Sequence, residues 1–241
     1  MADHRSMIIV GVGPLVSLSL CCKLASEGWH LGLVSRSVER LASFAEQIRQ
    51  STGDESLKLV FKAADGGQPE ALAEALDWTK KELGSVDVLC YNAARVGSDP
   101  LMTVTPAVLE ADFKTSVLGT LVAGQWFAEN ANKSRIADGE YPLLLIPAGG
   151  LHIEPRIKLA SLSTVKSASY NLSVNFSQLL PKEYQVMVGI PLIMGYVRTR
   201  EDAGEDYRFD PDVIVDKIFT PFFEQRKAVI DFSSWVRDRA W

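Results

Sequence analysis

The sequence predicts an α/β fold: a doubly wound, seven-stranded, mainly parallel sheet with helices on both faces. Seven short apolar runs, most of them rich in Val, Ile and Leu, alternate with amphipathic segments from one end of the chain to the other. Such runs are typical of strands covered on both faces, and their alternation with helices implies right-handed βαβ crossovers. Since the 241 residues contain no internal repeat, low-complexity tract or linker, we expect residues 1–241 to form one domain.

The elements follow one another in a regular order along the chain. The predicted strands are Met7–Val12, His30–Ser35, Leu57–Ala63, Val86–Tyr91, Leu143–Ala148, Gln185–Pro191 and Ala228–Phe232. The predicted helices are Pro14–Glu27, Val38–Gln50, Pro69–Leu83, Pro106–Asn130, Leu159–Leu180 and Pro211–Glu224. The charged segment Gly195–Asp210 follows the sixth strand, at the edge where open α/β sheets bind ligands. Its length fits a flexible lid and a solvated insertion equally well.

Three of the predicted helices carry recognisable start signals. Pro69, Pro106 and Pro211 suit the first turn of a helix, because proline fixes the helical φ and its missing N–H has no partner there. Thr105 and Asp210 precede two of these prolines and are natural N-caps. We therefore expect helices to begin at residues 106 and 211.

Composition excludes some classes of function. The chain is 47% hydrophobic and 23% charged, as in an ordinary globular protein, and its net charge of −5 argues against nucleic acid as a partner. The apolar run Met7–Val12 is too short for a signal peptide, and no run reaches the roughly 18 residues of a membrane span. We therefore expect a cytoplasmic protein that does not bind a membrane.

The cysteines do not suggest a site. Cys21, Cys22 and Cys90 all lie in apolar runs, and the sequence contains no metal-ligand spacing. We therefore expect three packed thiols in a reducing compartment and no bound metal.

The first predicted strand leads into a glycine turn. Gly11 and Gly13 open the turn, Pro14 starts a helix, and Gly28 precedes the second strand. Such a turn places backbone N–H groups and the positive end of a helix against a pyrophosphate. We therefore expect a dinucleotide site there, with Gly11 and Gly13 among its residues.

From this turn onward the chain resembles the short-chain dehydrogenase/reductase family over nearly its whole length. The family motif is TGxxxGxG, and the present segment, 10–17, reads VGVGPLVS, closest to a subgroup with GxGPGxG. The glycines expected at Leu15 and Ser17 are missing. The first of these glycines lets the backbone approach the pyrophosphate, and the second allows close packing of helix on strand. Two expectations stay open: either NADP(H) binds, or the altered loop excludes it.

The resemblance implies further cofactor residues. Arg36 follows the second strand and favours the 2′-phosphate of NADP over NAD. Asp65 matches the family's adenine-contacting aspartate, and Asn92 with Ala93 matches part of its NNAG segment. Lys166 matches the lysine that holds the ribose hydroxyls. The family resemblance therefore implies NADP(H), bound in a Rossmann-like sheet.

The catalytic residues of the family are mostly absent. Its members reduce a carbonyl with a serine, a tyrosine, a lysine and an asparagine. Lys166 occupies the lysine position, but Leu162 stands at the tyrosine, Gly149 at the serine and Ser116 at the asparagine. The usual phenolic proton donor is therefore missing.

Neighbouring side chains offer a substitute. His152 and Glu154 follow the fifth strand and could act as an acid–base pair. Tyr170 lies one helical turn beyond Lys166, where a core role is favoured, and Tyr91 at a strand end is a weak candidate for stacking on a substrate. The candidate catalytic residues are Lys166, His152 and Ser116.

Three functional hypotheses follow. The first is an NADP(H)-dependent oxidoreductase with a non-standard proton donor, acting on a carbonyl or imine of a small molecule, with secondary metabolism as one setting. The second is a repurposed cyclase or isomerase without hydride transfer, and the third is a non-catalytic pseudo-reductase. By resemblance, helices Pro106–Asn130 and Leu159–Leu180 would form a homodimer or homotetramer.

Overall fold

The computed structural model of the protein describes residues 4–54, 56–203, 208–227 and 237–240. Its strands are β1 (Ser6–Val10), β2 (His30–Ser35), β3 (Leu59–Ala63), β4 (Val88–Tyr91), β5 (Leu143–Leu145), β6 (Ala148–Gly149), β7 (Met187–Ile193) and β8 (Asp238–Ala240). Its α-helices are α1 (Val16–Ser26), α2 (Val38–Thr52), α3 (Pro69–Leu83), α4 (Pro106–Phe113), α5 (Gly119–Asn130), α6 (Ala160–Tyr184), α7 (Arg200–Ala203), α8 (Pro211–Ile214) and α9 (Thr220–Gln225).

The sheet is parallel at every described pairing and follows the order β3-β2-β1-β4-β5-β7, with β6 and β8 also paired to β7. The strands β5 and β6 form one line, because Leu145 pairs with Gly189 and Ala148 with Leu192 in an unbroken register. The sheet therefore has seven strand positions, which confirms the predicted architecture. The predicted strand Ala228–Phe232 lies outside the described residues.

Helices cover both faces of the sheet, as the uniformly apolar strands require. Along β1, Met7 and Ile9 pack into the cluster under α1, α2 and α8, whereas Ile8 and Val10 pack under α3, α5 and α6. Alternate side chains of a strand point to opposite faces, so one strand contributes to two cores. All four side chains are buried, which explains why no polar alternation marks these strands in the sequence.

The helix start signals are confirmed. The Thr105 hydroxyl accepts a hydrogen bond from the Val108 N–H, and the Asp210 carboxylate accepts one from the Asp212 N–H. Pro69, Pro106 and Pro211 all lie in first turns.

Some element boundaries differ from the prediction. The predicted helix 106–130 is divided into α4 and α5 by a π-helical turn, Lys114–Leu118. A similar turn, Val215–Phe219, joins α8 to α9. The predicted end of α6 at Leu180 is wrong, because the helix continues through Pro181 to Tyr184. A proline removes one backbone donor and crowds the preceding turn, but Leu180 and Pro181 are both buried, and their packing favours continuation of the helix.

The end of β4 is fixed by a buried tyrosine. The Tyr91 hydroxyl donates a hydrogen bond to the Thr115 carbonyl at 2.6 Å and lies 3.3 Å from the Gly66 carbonyl. It occupies the space that a side chain at residue 119 would need, so Gly119 at the start of α5 allows this contact. The tyrosine is therefore a structural link between β4, the loop before α3, and the π-helical turn.

We predict that Gly119→Ala destabilises the protein. The new methyl group would overlap the Tyr91 hydroxyl and the Gly66 carbonyl, and overpacking of this kind costs about 1–3 kcal/mol. Urea unfolding would measure the loss, with Gly13→Ala as the control because residue 13 has open space around its Cβ direction. Equal stability of the two variants would contradict the packing described here.

Candidate active site

The turn after β1 requires glycine at its first position. Gly11 has a φ of +85°, a conformation that residues with a side chain rarely adopt. A Cβ at this position would collide with the backbone of Ala93. The Gly11 N–H donates to the Val34 carbonyl and the Asn92 N–H donates to the Val10 carbonyl, both at 2.8 Å. The turn is therefore packed directly on the segment that follows β4.

The serine that replaces a glycine at residue 17 has a structural role. Ser17 is buried, and its hydroxyl accepts a hydrogen bond from the Asn92 side-chain amide at 2.8 Å. The same hydroxyl lies 3.4 Å from the Gly11 carbonyl. Close packing of α1 on the strands is retained, because the serine hydrogen-bonds to the neighbouring segment.

The start of α1 leaves room and donors for a ligand. No side chain caps this helix, so the N–H groups of its first turn lack the partner that a capping residue would supply. No atom lies within 4 Å of the position that a Cβ on Gly13 would take. Leu15 precedes the helix and is half-buried. The turn can therefore accept an anionic group beside Gly13, with Leu15 as an apolar border.

The two residues predicted for the adenosine end lie at the ends of neighbouring strands. Arg36, after β2, is exposed and forms no hydrogen bond or ion pair with any other described residue. Asp65, after β3, accepts a hydrogen bond from the Gly67 N–H at 2.9 Å and so shapes the turn before α3. The guanidinium of Arg36 is thus available to a ligand, whereas one carboxylate oxygen of Asp65 is already engaged.

Tyr91 is not a substrate residue, and that prediction is wrong. Its side chain is 2% exposed, and burial raises the pKa of its phenol, with the nearby Asp65 carboxylate adding to this effect. The sequence predicts Tyr91 at a strand end. The glycines at residues 66 and 119 leave space in the core, and the Tyr91 side chain occupies it.

Ser116 lies at the π-helical turn and is buried, with 3% exposure. Its hydroxyl has no hydrogen-bond partner among the residues that the structure describes. Buried polar groups are almost always hydrogen-bonded, and π-helical turns occur frequently at functional sites. The free hydroxyl is therefore a place where a water or ligand group would be held.

Lys166 lies on α6 and donates a hydrogen bond to the Pro147 carbonyl at 3.2 Å. Pro147 stands between β5 and β6, so the lysine binds the strand at its break. No acidic side chain in the described part of the chain pairs with the ammonium group. Burial lowers the pKa of Lys166 from 10.5 to about 8, because the charged form loses its hydration.

Leu162, which stands at the position of the family's tyrosine, is part of an apolar cluster. Leu162 is 6% exposed and packs with Val117 and Val165, and Leu151 and Ala94 border them. None of these five side chains carries a hydroxyl group. The apolar cluster that they form fills the space next to Lys166 on α6.

At Gly149, the position of the family's serine, the neighbouring backbone leaves little space for a side chain. Gly149 is in β6, and a Cβ there would lie 2.9 Å from the Ile193 carbonyl of β7. A serine at residue 149 would therefore push the two strands apart.

His152 is held in one orientation. Its Nδ1 lies 2.7 Å from the Gly149 carbonyl, and its ring stacks on Tyr170 with centroids 3.9 Å apart and an angle of 18°. Glu154 is exposed and forms no hydrogen bond or ion pair with the imidazole in the described structure, so the predicted acid–base pair does not form there. Tyr170 also packs on the core and reaches Asp238 of β8 at 3.5 Å.

The sequence analysis missed a polar network at the entrance of the site. Arg95 donates two hydrogen bonds to Asp112, each at 2.8 Å, and a third to Asp99 at 2.6 Å. Ser161 at the start of α6 donates to the same Asp112 carboxylate at 2.5 Å. The network joins the loop after β4 to α4 and α6. Arg95 and Asp99 are four residues apart in the chain, but Asp112 and Ser161 lie 17 and 66 residues beyond Arg95, so no local pattern marks the whole network.

The described residues offer neither a membrane-spanning helix nor a metal site. None of the helices described has both the length and the apolar character needed to cross a bilayer. The same residues contain no group of three or more His, Cys, Asp or Glu side chains suited to a metal ion. All three cysteines are free thiols, with Cys21 and Cys90 buried and Cys22 partly buried.

The fold and the site define an α/β protein with a glycine turn and an α6 lysine at the carboxyl end of a parallel sheet. Residues 5–136, more than half of the chain, match the model of the short chain dehydrogenase family. The protein therefore belongs to this family, which confirms the resemblance.

The curated relatives are distant and match over part of their length. Short-chain dehydrogenase/reductase 1 of Saponaria officinalis is 30% identical over 97 residues, which cover 40% of this chain and 32% of that protein. The peroxisomal 2,4-dienoyl-CoA reductase of Danio rerio is 26% identical over 135 residues, which cover 54% of this chain and 44% of that protein. The aligned parts thus span a third to less than half of the length of these relatives.

Solved structures match over nearly the whole chain. An alcohol dehydrogenase from Thermococcus sibiricus, in complex with 5-hydroxy-NADP, has a TM-score of 0.77 at 19% identity and covers 99% of this chain and 96% of its own. A single-residue variant of the actinorhodin polyketide ketoreductase with NADPH has a TM-score of 0.77 at 13% identity, with coverages of 100% and 96%. At these identities the likeness concerns the fold.

We predict that Lys166 makes the stability of the protein depend on pH. Its pKa is lower in the folded state than in the unfolded state, so the unfolded chain binds more protons between about pH 8 and pH 10.5. The free energy of unfolding should therefore rise across this window. Lys166→Met should remove the rise and be more stable than the wild type near pH 8, by at most about 3 kcal/mol.

Urea unfolding at both ends of this pH window measures the effect. Lys182→Met, at an exposed lysine of the same helix, is the control and should leave the pH dependence unchanged. If Lys166→Met changes stability equally at both pH values, the lysine keeps its ordinary pKa and the prediction fails.

Proposed function

We propose that the protein is an oxidoreductase that uses NADP(H) to reduce a carbonyl or imine group of a small molecule, with His152 as the proton donor. The observation that carries this proposal is that the imidazole of His152 and the lysine of the family are both held by backbone carbonyls of the segment 147–149. Both side chains bind backbone carbonyls two residues apart, His152 that of Gly149 and Lys166 that of Pro147. The two groups therefore belong to one site.

The orientation of His152 suits proton transfer. A carbonyl oxygen only accepts hydrogen bonds, so Nδ1 must carry a proton where it meets Gly149. The proton exchanged with a substrate is then the one on Nε2. Stacking on Tyr170 restrains the ring plane. The free hydroxyl of Ser116 supports a further role in holding a water near the reacting group.

The predicted cofactor residues suit a dinucleotide that carries a 2′-phosphate. The uncapped first turn of α1 and the open space at Gly13 suit a pyrophosphate, and the guanidinium of Arg36 suits a 2′-phosphate. Lys166 would bind the ribose hydroxyls and Asp65 the adenine. When bound, the cofactor supplies or accepts the hydride. Structural relatives in complex with 5-hydroxy-NADP and with NADPH add support.

A second candidate function has an observation of its own. The apolar cluster around Leu162 offers no acid or base where the family has its phenol. An enzyme that only orients a reactive substrate, such as a cyclase or isomerase, needs no such group, and a non-catalytic pseudo-reductase needs none either. The oligomer, the cytoplasmic location and the absence of nucleic acid or membrane partners stay predictions.

We expect NADPH to raise the melting temperature of the protein, because a ligand that binds only the folded state stabilises it. Arg36→Ala should weaken NADPH binding about tenfold or more and leave NADH binding unchanged, since loss of a charge-assisted hydrogen bond costs about 1.5–3 kcal/mol. Thermal shift titrations with both cofactors give this comparison. Arg40→Ala, at a nearby exposed arginine that lies over Phe44, is the matched control.

Two outcomes would contradict the cofactor assignment. One is a wild-type protein that millimolar NADPH does not stabilise, which would favour the second candidate function. The other is an equal loss of NADPH and NADH affinity in Arg36→Ala, which would remove the 2′-phosphate contact from the proposal.

We expect His152→Gln to lower the rate of NADPH oxidation by about two to four orders of magnitude, the contribution of a positioned acid–base group. NADPH binding should be unchanged, because no cofactor residue is altered. The measurement is NADPH absorbance with a panel of neutral ketones and cyclic imines. Glu154→Gln, which alters an exposed neighbour, should keep the wild-type rate; an unchanged rate in His152→Gln would exclude the imidazole as proton donor.

A further inference from the structure

Charged side chains gather at the amino end of the sheet, opposite the candidate active site. Arg5 precedes β1, Asp87 precedes β4, and Glu140 precedes β5. Arg135 and Arg226 lie beside them, in the segments that follow α5 and α9. We call these five residues the arginine cluster. None of them belongs to the residues of the proposed function, so a ligand of the cluster would be independent of it.

Both carboxylates of the arginine cluster are engaged by groups other than Arg226. The two oxygens of Glu140 accept hydrogen bonds from the guanidinium of Arg5. Asp87 pairs with Arg135 at 3.4 Å and also accepts hydrogen bonds from the backbone at the start of β1 and from a side-chain amide. Each carboxylate thus already has an arginine of its own.

Arg226 is the buried member of the cluster, with 1% exposure. Its Nε donates a hydrogen bond to the Tyr141 carbonyl at 2.6 Å. Nη1 lies 3.9 Å from Oε2 of Glu140, beyond hydrogen-bond distance, and the Trp29 ring below the guanidinium, 5.7 Å from its carbon, has no lone pair to offer in this direction. Neither Nη1 nor Nη2 has a hydrogen-bond partner among the residues that the structure describes. Both NH2 groups of a buried guanidinium are therefore left without an acceptor.

A buried guanidinium in this state destabilises the folded protein strongly unless a partner compensates it. Burial lowers the pKa of Arg226, but an arginine stays protonated at neutral pH, so the positive charge remains. A water molecule would supply hydrogen-bond acceptors without a charge, whereas an anion supplies both. The two NH2 groups of one guanidinium also point in the directions in which arginine binds anions through parallel hydrogen bonds.

We infer that Nη1 and Nη2 of Arg226 bind a small monovalent anion, of the class of chloride, nitrate and formate, inside the arginine cluster. The near-complete burial of the guanidinium favours a small anion over phosphate or a larger ligand. One negative charge suffices, because three arginines and two carboxylates leave a single positive formal charge within the cluster. The Tyr141 N–H donates to the Arg226 carbonyl at 3.2 Å, so the anion stabilises the place where the end of α9 is joined to the start of β5.

Urea unfolding in matched salts tests the inference, because an anion that binds only the folded state must stabilise it. The full-length protein is unfolded in sodium gluconate that is replaced stepwise by sodium chloride, at constant ionic strength so that screening does not change. We expect the urea midpoint to rise to a plateau, by about 0.5 M when chloride is tenfold above its dissociation constant. In Arg226→Met the midpoint should not depend on chloride, whereas Arg40→Met, at an exposed arginine, should behave as the wild type.

Chloride NMR measures the binding directly on the folded protein. The wild type and Arg40→Met should broaden the 35Cl signal beyond the broadening that Arg226→Met causes. Formate and nitrate should reverse this excess at concentrations similar to that of chloride, whereas sulfate should need concentrations about tenfold higher, since it is larger and doubly charged. Arg226→Lys keeps the charge but loses the pair of NH2 groups, and it should weaken chloride binding about tenfold. This variant keeps the inference testable if Arg226→Met does not fold.

Three outcomes would overturn the inference. The first is a urea midpoint that rises with chloride equally in the wild type and in Arg226→Met, which would be a general salt effect. The second is the absence of excess 35Cl broadening in the wild type, which would mean that water meets the guanidinium. The third is competition by sulfate as strong as that by formate, which would mean that the site takes larger dianions. NADPH enters none of these measurements, so failure of the proposed function would leave them unchanged.

Discussion

The segment that leaves β4 is packed so closely on both sides that its neighbours must be glycine. The backbone of Ala93 lies against Gly11, and the Tyr91 hydroxyl occupies the space beside Gly66 and Gly119. The turn after β1, the strand β4 and the helix α5 are thereby held at fixed separations. The side-chain amide of Asn92 adds a hydrogen bond to the Ser17 hydroxyl on α1. The starts of α1, α3 and α5 are positioned by this junction, because Ser17, Gly66 and Gly119 all contact it.

Two departures from the family's catalytic pattern lie in closely packed surroundings. Gly149 is pressed against the Ile193 carbonyl, and Leu162 is buried in an apolar cluster that Leu151 and Val117 share. A serine at the first position or a tyrosine at the second would each need its surroundings to move. The position of the family's tyrosine is thus apolar in this chain. The ammonium group of Lys166 binds the Pro147 carbonyl.

Sequence reasoning predicted the sheet and the glycine turn after β1 well, because both depend on local signals. Runs of branched aliphatic residues indicated the strands, and Thr105 and Asp210 indicated helix starts through contacts within three residues. Sequence reasoning failed where contacts between residues that are distant in the chain determine the structure. The burial of Tyr91 depends on small residues at positions 66 and 119, and the stacking of His152 on Tyr170 joins residues that are 18 positions apart in the chain.

The sequence by itself determined the parallel sheet, the glycine turn after β1, and the loss of the hydroxyl at residue 162, since each is carried by residues adjacent in the chain. The tertiary structure alone decided that Ser17 binds Asn92, that His152 stacks on Tyr170, and that the loops after β4, β6 and β7 contact one another. These contacts join residues that lie far apart in the chain, and only the folding of the sheet brings them together.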